Sequence, residues 1–543
     1  MLQRLKFCII KCCTKDHAVM PFPRTSGILL HPTSFPGPYG IGDLGASARQ
    51  FIDFLARSGQ SLWQILPLGP TGYGNSPYMC YSAMAGNPLL ISLDDLAEQG
   101  LLDEWDLTHH PDFDPDFIDF DAVMAWKMPL LRKASLRFKD QALPEVRSQF
   151  ADFCQAKAHW LEDYALFMAL LETRPEPLWS DWPVPLRDRD PDALHQARLE
   201  LAVEIGAQQF WQFEFFRQWT ALRNYANDND IQVFGDIPIY VSHNSADVWA
   251  NPQLFQLDED KQPKSVAGVP PDYFSVTGQR WGNPLYDWDV LKEAGFAWWI
   301  MRFRDCLELV DLIRIDHFRA FDTYWSVPAE EETAVNGEWL QGPGAPFFVA
   351  VRDALGSLPI IAEDLGDIGP SVLELRDEFE FPGMKILHFA FGSDANNPYL
   401  PFRVTPNSVV YTGTHDNDTT CGWYEAASDY ERGRFLQYLG CTGPDGIAWD
   451  MIRVAMSSVA NQAIVPLQDV CSLGTDARMN TPGTAEGNWR WLYRAEALTQ
   501  EYGDRLRDMA LIYGRYEPKP PKPESQEFDG AQDLTLSTYG ESV

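Results

Sequence analysis

"LIRID", residues 312–316, decides the fold. Leu312, Ile313 and Ile315 have the aliphatic character of a buried strand, yet Arg314 and Asp316 interrupt them. Side chains two apart on a strand share a face, so the cation and the anion point together, and His317 follows at once. A core strand ending in a paired Arg and Asp fits a parallel sheet whose strands run out at a functional mouth.

Similar apolar runs recur on both sides of this one, each bounded by turn residues. They are "GILLHP" from Gly27, "SLWQILPL" from Ser61, "QVFGDIPIY" from Gln232 and "PIIAEDL" from Pro359, then "MKILHFAF" from Met384, "SVVYTGTHD" from Ser408 and "AIVPLQDV" from Ala463. With LIRID they make eight, several followed by helical patterns, which predicts an α/β fold: a closed (β/α)8 TIM barrel, with an open doubly wound sheet as the alternative. Between the second and third runs the pattern is helical, as in "HWLEDYALFMALLE" and "FWQFEFFRQWTALRNYA", which predicts an inserted helical subdomain at about 70–225. After the third run, "QPKSVAGVPPDYFSVTGQRWGNPLYDW" is rich in Gly, Pro and aromatics and reads as a long substrate loop. The expected organisation is one catalytic domain over 20–515. Residues 1–19, basic and Cys-rich, form an extension that is either an upstream start or a cloning remnant, and 516–543 form a disordered polar tail.

The 543 residues carry a formal net charge of −34, which argues against nucleic acid or an anionic membrane as partner. Nineteen Trp and 20 Tyr suit either a rich core or flat, partly apolar ligands such as sugars. The nine Cys are scattered without paired CxxC spacing, so reduced thiols and no zinc site are expected. Without a signal-peptide core or a long apolar run, the expected location is cytoplasmic. "GIGDLG" (Gly40, Gly42, Gly45) matches a dinucleotide pattern but lies beyond its strand after a Pro-rich loop, and "HHPDFDPDFIDFD" from His109 reads as acids preceding a helix rather than a metal cluster. No metal and no cofactor are implied.

Barrel enzymes work at the C-terminal ends of their strands. Those ends collect Asp236, then Arg314 and Asp316, then Glu363 and Asp364, then His415 and Asp416. Asp364 and Asp418 read as turn or cap residues, and Asp236 as either a structural acceptor or a substrate contact. Arg314 beside Asp316 would keep that carboxylate ionised, as a nucleophile at an anomeric carbon requires. Glu363, close to other carboxylates, would keep its proton and serve as the acid. His317 and His415 could donate to sugar hydroxyls or simply be structural.

"LHPTSFPGPYGIGDLG", "GYGNSPY", "GDIPIYV", "GQRWGNPLY", "RIDHFRAF", "IAEDLG", "TGTHDNDTT" and "MNTPGTAEGNWRW" together resemble, in order, the motifs of the 4-α-glucanotransferases (amylomaltases, disproportionating enzymes) of glycoside hydrolase family 77, over about Pro23 to Tyr513. The resemblance implies Asp316 as nucleophile with Arg314 as its partner, Glu363 as acid/base and Asp416 as the third carboxylate, with His415 beside it. It implies substrate contacts at Asp236, Tyr78, Tyr73, His317 and Asn480, and at Gln279 and Trp281 on a loop over the donor chain. It implies maltooligosaccharides and starch- or glycogen-type α-1,4-glucans as substrates and a retaining double displacement through a glucanyl–Asp intermediate. An α-amylase-like hydrolase and a non-catalytic glucan-binding protein are the alternatives. Two positions depart from the pattern: Ala320 stands where relatives have Gly, and "PFRVTP" after Leu400 replaces a His-Asn pair.

Overall fold

The computed structural model of the chain describes residues 22–271, 275–366 and 368–518. The expected extension 1–19 lies outside the described residues, as does the expected tail apart from 516–518. Eight strands form a closed parallel barrel: β1 (Thr25–Leu29), β2 (Leu62–Gln64), β3 (Gln232–Pro238), β4 (Leu312–Asp316), β5 (Ile360–Ala362), β6 (Gly383–Ile386), β7 (Ser408–Tyr411) and β8 (Gln462–Pro466). Each overlaps one of the eight runs read from the sequence. They pair in chain order, and β8 closes onto β1 with Gln462 opposite Thr25. The open sheet is thereby excluded.

The period of two sorts every strand into an inner and an outer face. Leu29, Leu62, Phe234, Leu312, Ile361, Met384, Val409, Tyr411 and Ile464 pack together as one cluster that fills the barrel. Their alternates, among them Trp63, Val233, Ile313, Ile315, Val410 and Val465, belong to a separate cluster shared with the helices. Arg314 and Asp316 therefore sit above Leu312 on the inner face. The aliphatic residues are not all opposite the charges; only Ile313 and Ile315 are.

Between β2 and β3 the chain is helical, chiefly Phe120–Gln141, Pro144–Ala156, Ala158–Thr173 and Ala202–Asp228. Asp119, from the acidic run, starts the first of these by accepting the Ala122 N–H at 3.1 Å. Two buried glutamines of the last helix tie it to the chain leaving β2: Gln212 exchanges hydrogen bonds with the Gly86 backbone at 2.7 and 2.8 Å, and Gln218 accepts from Ser92 N–H at 2.7 Å. These bonds satisfy buried backbone groups of an irregular segment that would otherwise go unpaired. β6 is followed by the 3-10 turns Leu387–Phe389 and Pro401–Arg403 rather than by an α-helix.

The segment after β3, expected as a long loop, contains two strands. Gln279–Pro284 and Ser265–Val269 join Thr323–Pro328 and Glu338–Gln341 in a four-stranded antiparallel sheet beside the barrel mouth. Among the described residues no helix is long and apolar enough to cross a membrane.

Candidate active site

The register of β3, β4 and β5 builds the centre of the site. Asp236 lies opposite Arg314, and Arg314 opposite Ile361, so Glu363 emerges two residues beyond, beside Asp316. The strand ends are laced there: Glu363 N–H donates to Ile315 O at 3.0 Å, and Phe318 N–H donates to Glu363 O at 3.2 Å. Arg314 is buried and forks between two carboxylates, donating from Nη1 to Asp236 Oδ2 at 2.5 Å and from Nη2 to Asp316 Oδ1 at 2.7 Å. Burial alone would lower its pKa, but Asp236 and then Asp316 more than offset that, and the guanidinium stays charged. The Asp316 side chain keeps 30% of its surface exposed at the mouth, whereas that of Asp236 keeps none.

Asp236 is thus the floor of the site. Burial pushes its carboxyl upward, against the pull of Arg314, and Tyr78 Oη donates to the same Oδ2 at 2.8 Å. Tyr78 remains a phenol because burial and then Asp236 raise it well above its ordinary range.

Glu363 accepts two backbone donors, His317 N–H at 2.7 Å and Leu365 N–H at 3.0 Å. The first is available because His317 adopts left-handed backbone (φ 51°), which turns its amide toward β5. Burial pushes Glu363 up to about 8; Arg314 opposes the shift and Asp316 adds to it. The neighbouring-carboxylate cause read from the sequence is therefore real but secondary to enclosure. The His317 imidazole is pushed down to about 3 by burial and then by Arg319, and so is neutral, with its Nε2 enclosed and without a hydrogen-bond partner among the described residues.

β7 delivers the third carboxylate. Asp416 Oδ1 receives Asn480 Nδ2 at 2.6 Å and faces His415 Nε2 at 3.3 Å. Burial lowers His415, which stacks on the Tyr78 ring at 5.2 Å and 15°. Trp281 meets the His317 ring edge-on at 4.8 Å and donates from Nε1 to Gln279 Oε1 at 3.1 Å, both residues lying on the strand Gln279–Pro284 rather than on a loop. Tyr73 is 76% exposed and stands outside the bonded cluster.

The two nearby acids have different work. Asp364 accepts Met384 N–H at 2.7 Å and Arg376 Nη1 at 2.5 Å, fastening β5 to β6 and to the helix Pro370–Glu378. Asp418 receives Thr419 N–H at 2.7 Å and Thr475 Oγ1 at 2.9 Å, so it closes its own turn and ties it to the segment after β8. Sequence reasoning missed Arg478, which clamps Asp416 O at 2.7 Å and Asn480 O at 2.8 Å, and His31, an imidazole just past the end of β1 that burial pushes down to about 3. It also missed Trp489, whose ring reaches both Tyr78 and His415 at 5.9 Å.

A family model described as 4-alpha-glucanotransferase matches residues 30–498. The chain belongs to that family. The 4-alpha-glucanotransferase of Synechocystis sp. is 55% identical over 495 residues, covering 91% of this chain and 98% of its own. That of Thermus thermophilus is 50% identical, covering 90% and 99%. The amylomaltase of Streptococcus agalactiae, solved in complex with acarbose, superposes with a TM-score of 0.88 at 39% identity, covering 91% of this chain and 100% of its own. The chain is accordingly a glucanotransferase, and the strand-end carboxylates sit within the stretch that the 4-alpha-glucanotransferase model spans.

Proposed function

We propose that Asp316, Glu363 and Asp416 perform a retaining glucan transfer at this mouth. The observation that carries the reading is the pairing of an Arg314-bound Asp316 with a Glu363 whose proton is held up to about 8. Asp316 attacks the anomeric carbon of an α-1,4-glucan while Glu363 protonates the glycosidic oxygen, and the reducing-end fragment leaves. Glu363 then takes the proton from the 4-hydroxyl of an acceptor glucan, which displaces Asp316 and restores an α-1,4 bond. Asp416, held by Asn480, grips the sugar hydroxyls hardest in the oxocarbenium-like state. Arg314, Asp236, Tyr78, His317 and His415 line and orient the sugar, Trp281 and Gln279 guard the donor side, and Tyr73 extends the glucan track.

The fit of an acarbose-bound amylomaltase over nine-tenths of the chain supports α-1,4-glucans as the substrate class. We read residues 20–515 as one catalytic unit with the helical insertion at 70–225, working in the cytoplasm. Incubation with pure maltotriose tests the reaction. Free glucose and a ladder of longer maltooligosaccharides at constant reducing ends support transfer; a steady rise in reducing ends would sink it in favour of hydrolysis.

A further inference from the structure

Trp489 belongs to the apolar cluster that fills the barrel, and its backbone is unusual for a residue of that cluster. Its φ is 65°, in the left-handed region that a bulky residue rarely enters. Such outliers persist only where surrounding structure over-determines them, and they concentrate at sites that need a fixed geometry. Here the surrounding structure is a loop closed at its base: Trp489 N–H donates to Met479 O at 2.7 Å, and Thr481 N–H donates to Asn488 Oδ1 at 2.9 Å.

The closed loop points two side chains at the site. From one arm Asn480 donates to Asp416. From the other the indole, only 6% exposed, tilts against Tyr78 at 45° and His415 at 36°. Tyr78 and His415 are already stacked on each other, so the three rings form a closed triangle. Tyr78 leads from that triangle to Asp236, and His415 leads from it to Asp416. A ring needed only as filling could be supplied from ordinary backbone. Strained backbone, loop closure and contact with two site rings coincide at this one residue.

We propose that Trp489 is a positioning residue: its indole fixes the Tyr78–His415 stack, and through it the places of the Tyr78 hydroxyl and the His415 imidazole at the sugar. The proposal rests on the reading of Asp316 and Glu363 as the reacting pair. Trp489 itself touches no reacting atom. A shift of its ring is felt as misplacement of two substrate-facing groups, which lowers kcat more than it raises the KM for the donor.

The experiment is a double-mutant cycle on maltotriose disproportionation, with circular dichroism and thermal midpoints confirming folded protein. Trp489→Leu should lower kcat/KM about 100-fold, mostly in kcat, and Trp489→Phe, which keeps a ring there, should recover most of it. In a Tyr78→Leu background the same Trp489→Leu change should cost less than about threefold, because the ring it fixes is gone. In an Ile512→Ala background, a surface change on the last helix, the full loss should remain. A Trp489→Leu penalty of equal size in the Tyr78→Leu and Ile512→Ala backgrounds overturns the proposal, as does a Trp489→Leu enzyme within twofold of wild type. If Trp489→Leu does not fold, the same cycle is run with Trp489→Met, which fills the space without a flat ring, and the same outcomes decide the matter. Asp316→Asn distinguishes this failure from failure of the underlying reading: full activity in Asp316→Asn sinks the reacting pair, whereas an inactive Asp316→Asn with uncoupled Trp489 sinks the positioning alone.

Discussion

Arg314 and Asp316 are joined across two residues of one strand by a 2.7 Å bond, and the same guanidinium holds Asp236 on the next strand at 2.5 Å. A planar fork is required for this, because the two acceptors lie in different directions. Lysine offers a single compact charge and can serve only one of them well. Arg314→Lys is expected to fold and to lose about 100-fold in kcat/KM, since the proposed nucleophile Asp316, displaced by an ångström, no longer meets its target. Arg314→Met, which leaves Asp236 buried without its cation, should cost about 3–5 kcal/mol of stability as well. Maltotriose kinetics and thermal melts read the two effects separately.

Glu363 makes a prediction about pH with a definite sign. Its carboxyl is raised to about 8 in the folded chain, against an ordinary value near 4.5, so between those limits the folded state holds a proton that the unfolded state has lost. Stability must therefore fall as pH rises from about 4.5 to about 8. Glu363→Gln, neutral throughout and unable to shuttle a proton, should be inactive yet melt higher than wild type at pH 8, with the gap closing toward pH 4.5. If Glu363 is the acid we propose, the basic limb of kcat/KM should fall through about pH 8, where its proton is lost. A Glu363→Gln enzyme that melts lower than wild type at pH 8 contradicts this.

The barrel was readable because parallel strands covered on both sides appear as short, nearly continuous apolar runs. The polar exceptions in those runs, Asp236, Arg314 and Asp316, fall on the inner face for the same reason that Leu312 does, a period of two. The antiparallel sheet was not readable. Its strand Gln279–Pro284, "QRWGNP", carries Gly and Pro and leaves several residues partly exposed, so neither alternation nor β-branching marks it. Nor could the sequence reveal Arg478, whose partner carbonyl lies 62 residues earlier and is brought near only by the closure of β7 beside β8. The cause of the Glu363 shift was equally out of reach, because enclosure belongs to the assembled mouth and not to any one segment.

Asp364 tests whether adjacent acids were assigned correctly. It is buried, bonded to Met384 N–H and paired with Arg376, and it directs both oxygens away from Asp316 and toward β6 and the following helix. Asp364→Ala should therefore lower stability by about 3 kcal/mol, the cost of stranding a buried partner. Activity per folded molecule should stay within about twofold of wild type, since no transition-state contact is removed. Denaturant titration gives the first quantity and active-site-normalised rates the second. An Asp364→Ala enzyme that is stable but dead would reverse the roles of the two residues.

Ala320 remains as the departure from the related pattern closest to the site. It is fully buried in the core shared by the barrel and its helices, and its N–H donates to His317 O at 3.1 Å within the turn Phe318–Phe321. It is not among the residues with left-handed backbone, so its methyl meets no conformational penalty. The close approach at this turn is made from the other side by Gly342, where an added Cβ would meet the Ala320 carbonyl at 2.6 Å. The glycine that the geometry requires is thus Gly342, and Ala320 is free to carry a packed methyl. Ala320→Gly should then destabilise by about 1 kcal/mol through lost packing and added chain freedom, with kcat and KM unchanged. Gly342→Ala should be the damaging substitution, pushing the turn and with it the His317 amide that Glu363 accepts. Parallel melts and maltotriose rates for the two variants decide the point, and an Ala320→Gly enzyme with altered kcat would place the methyl in the working geometry of the site.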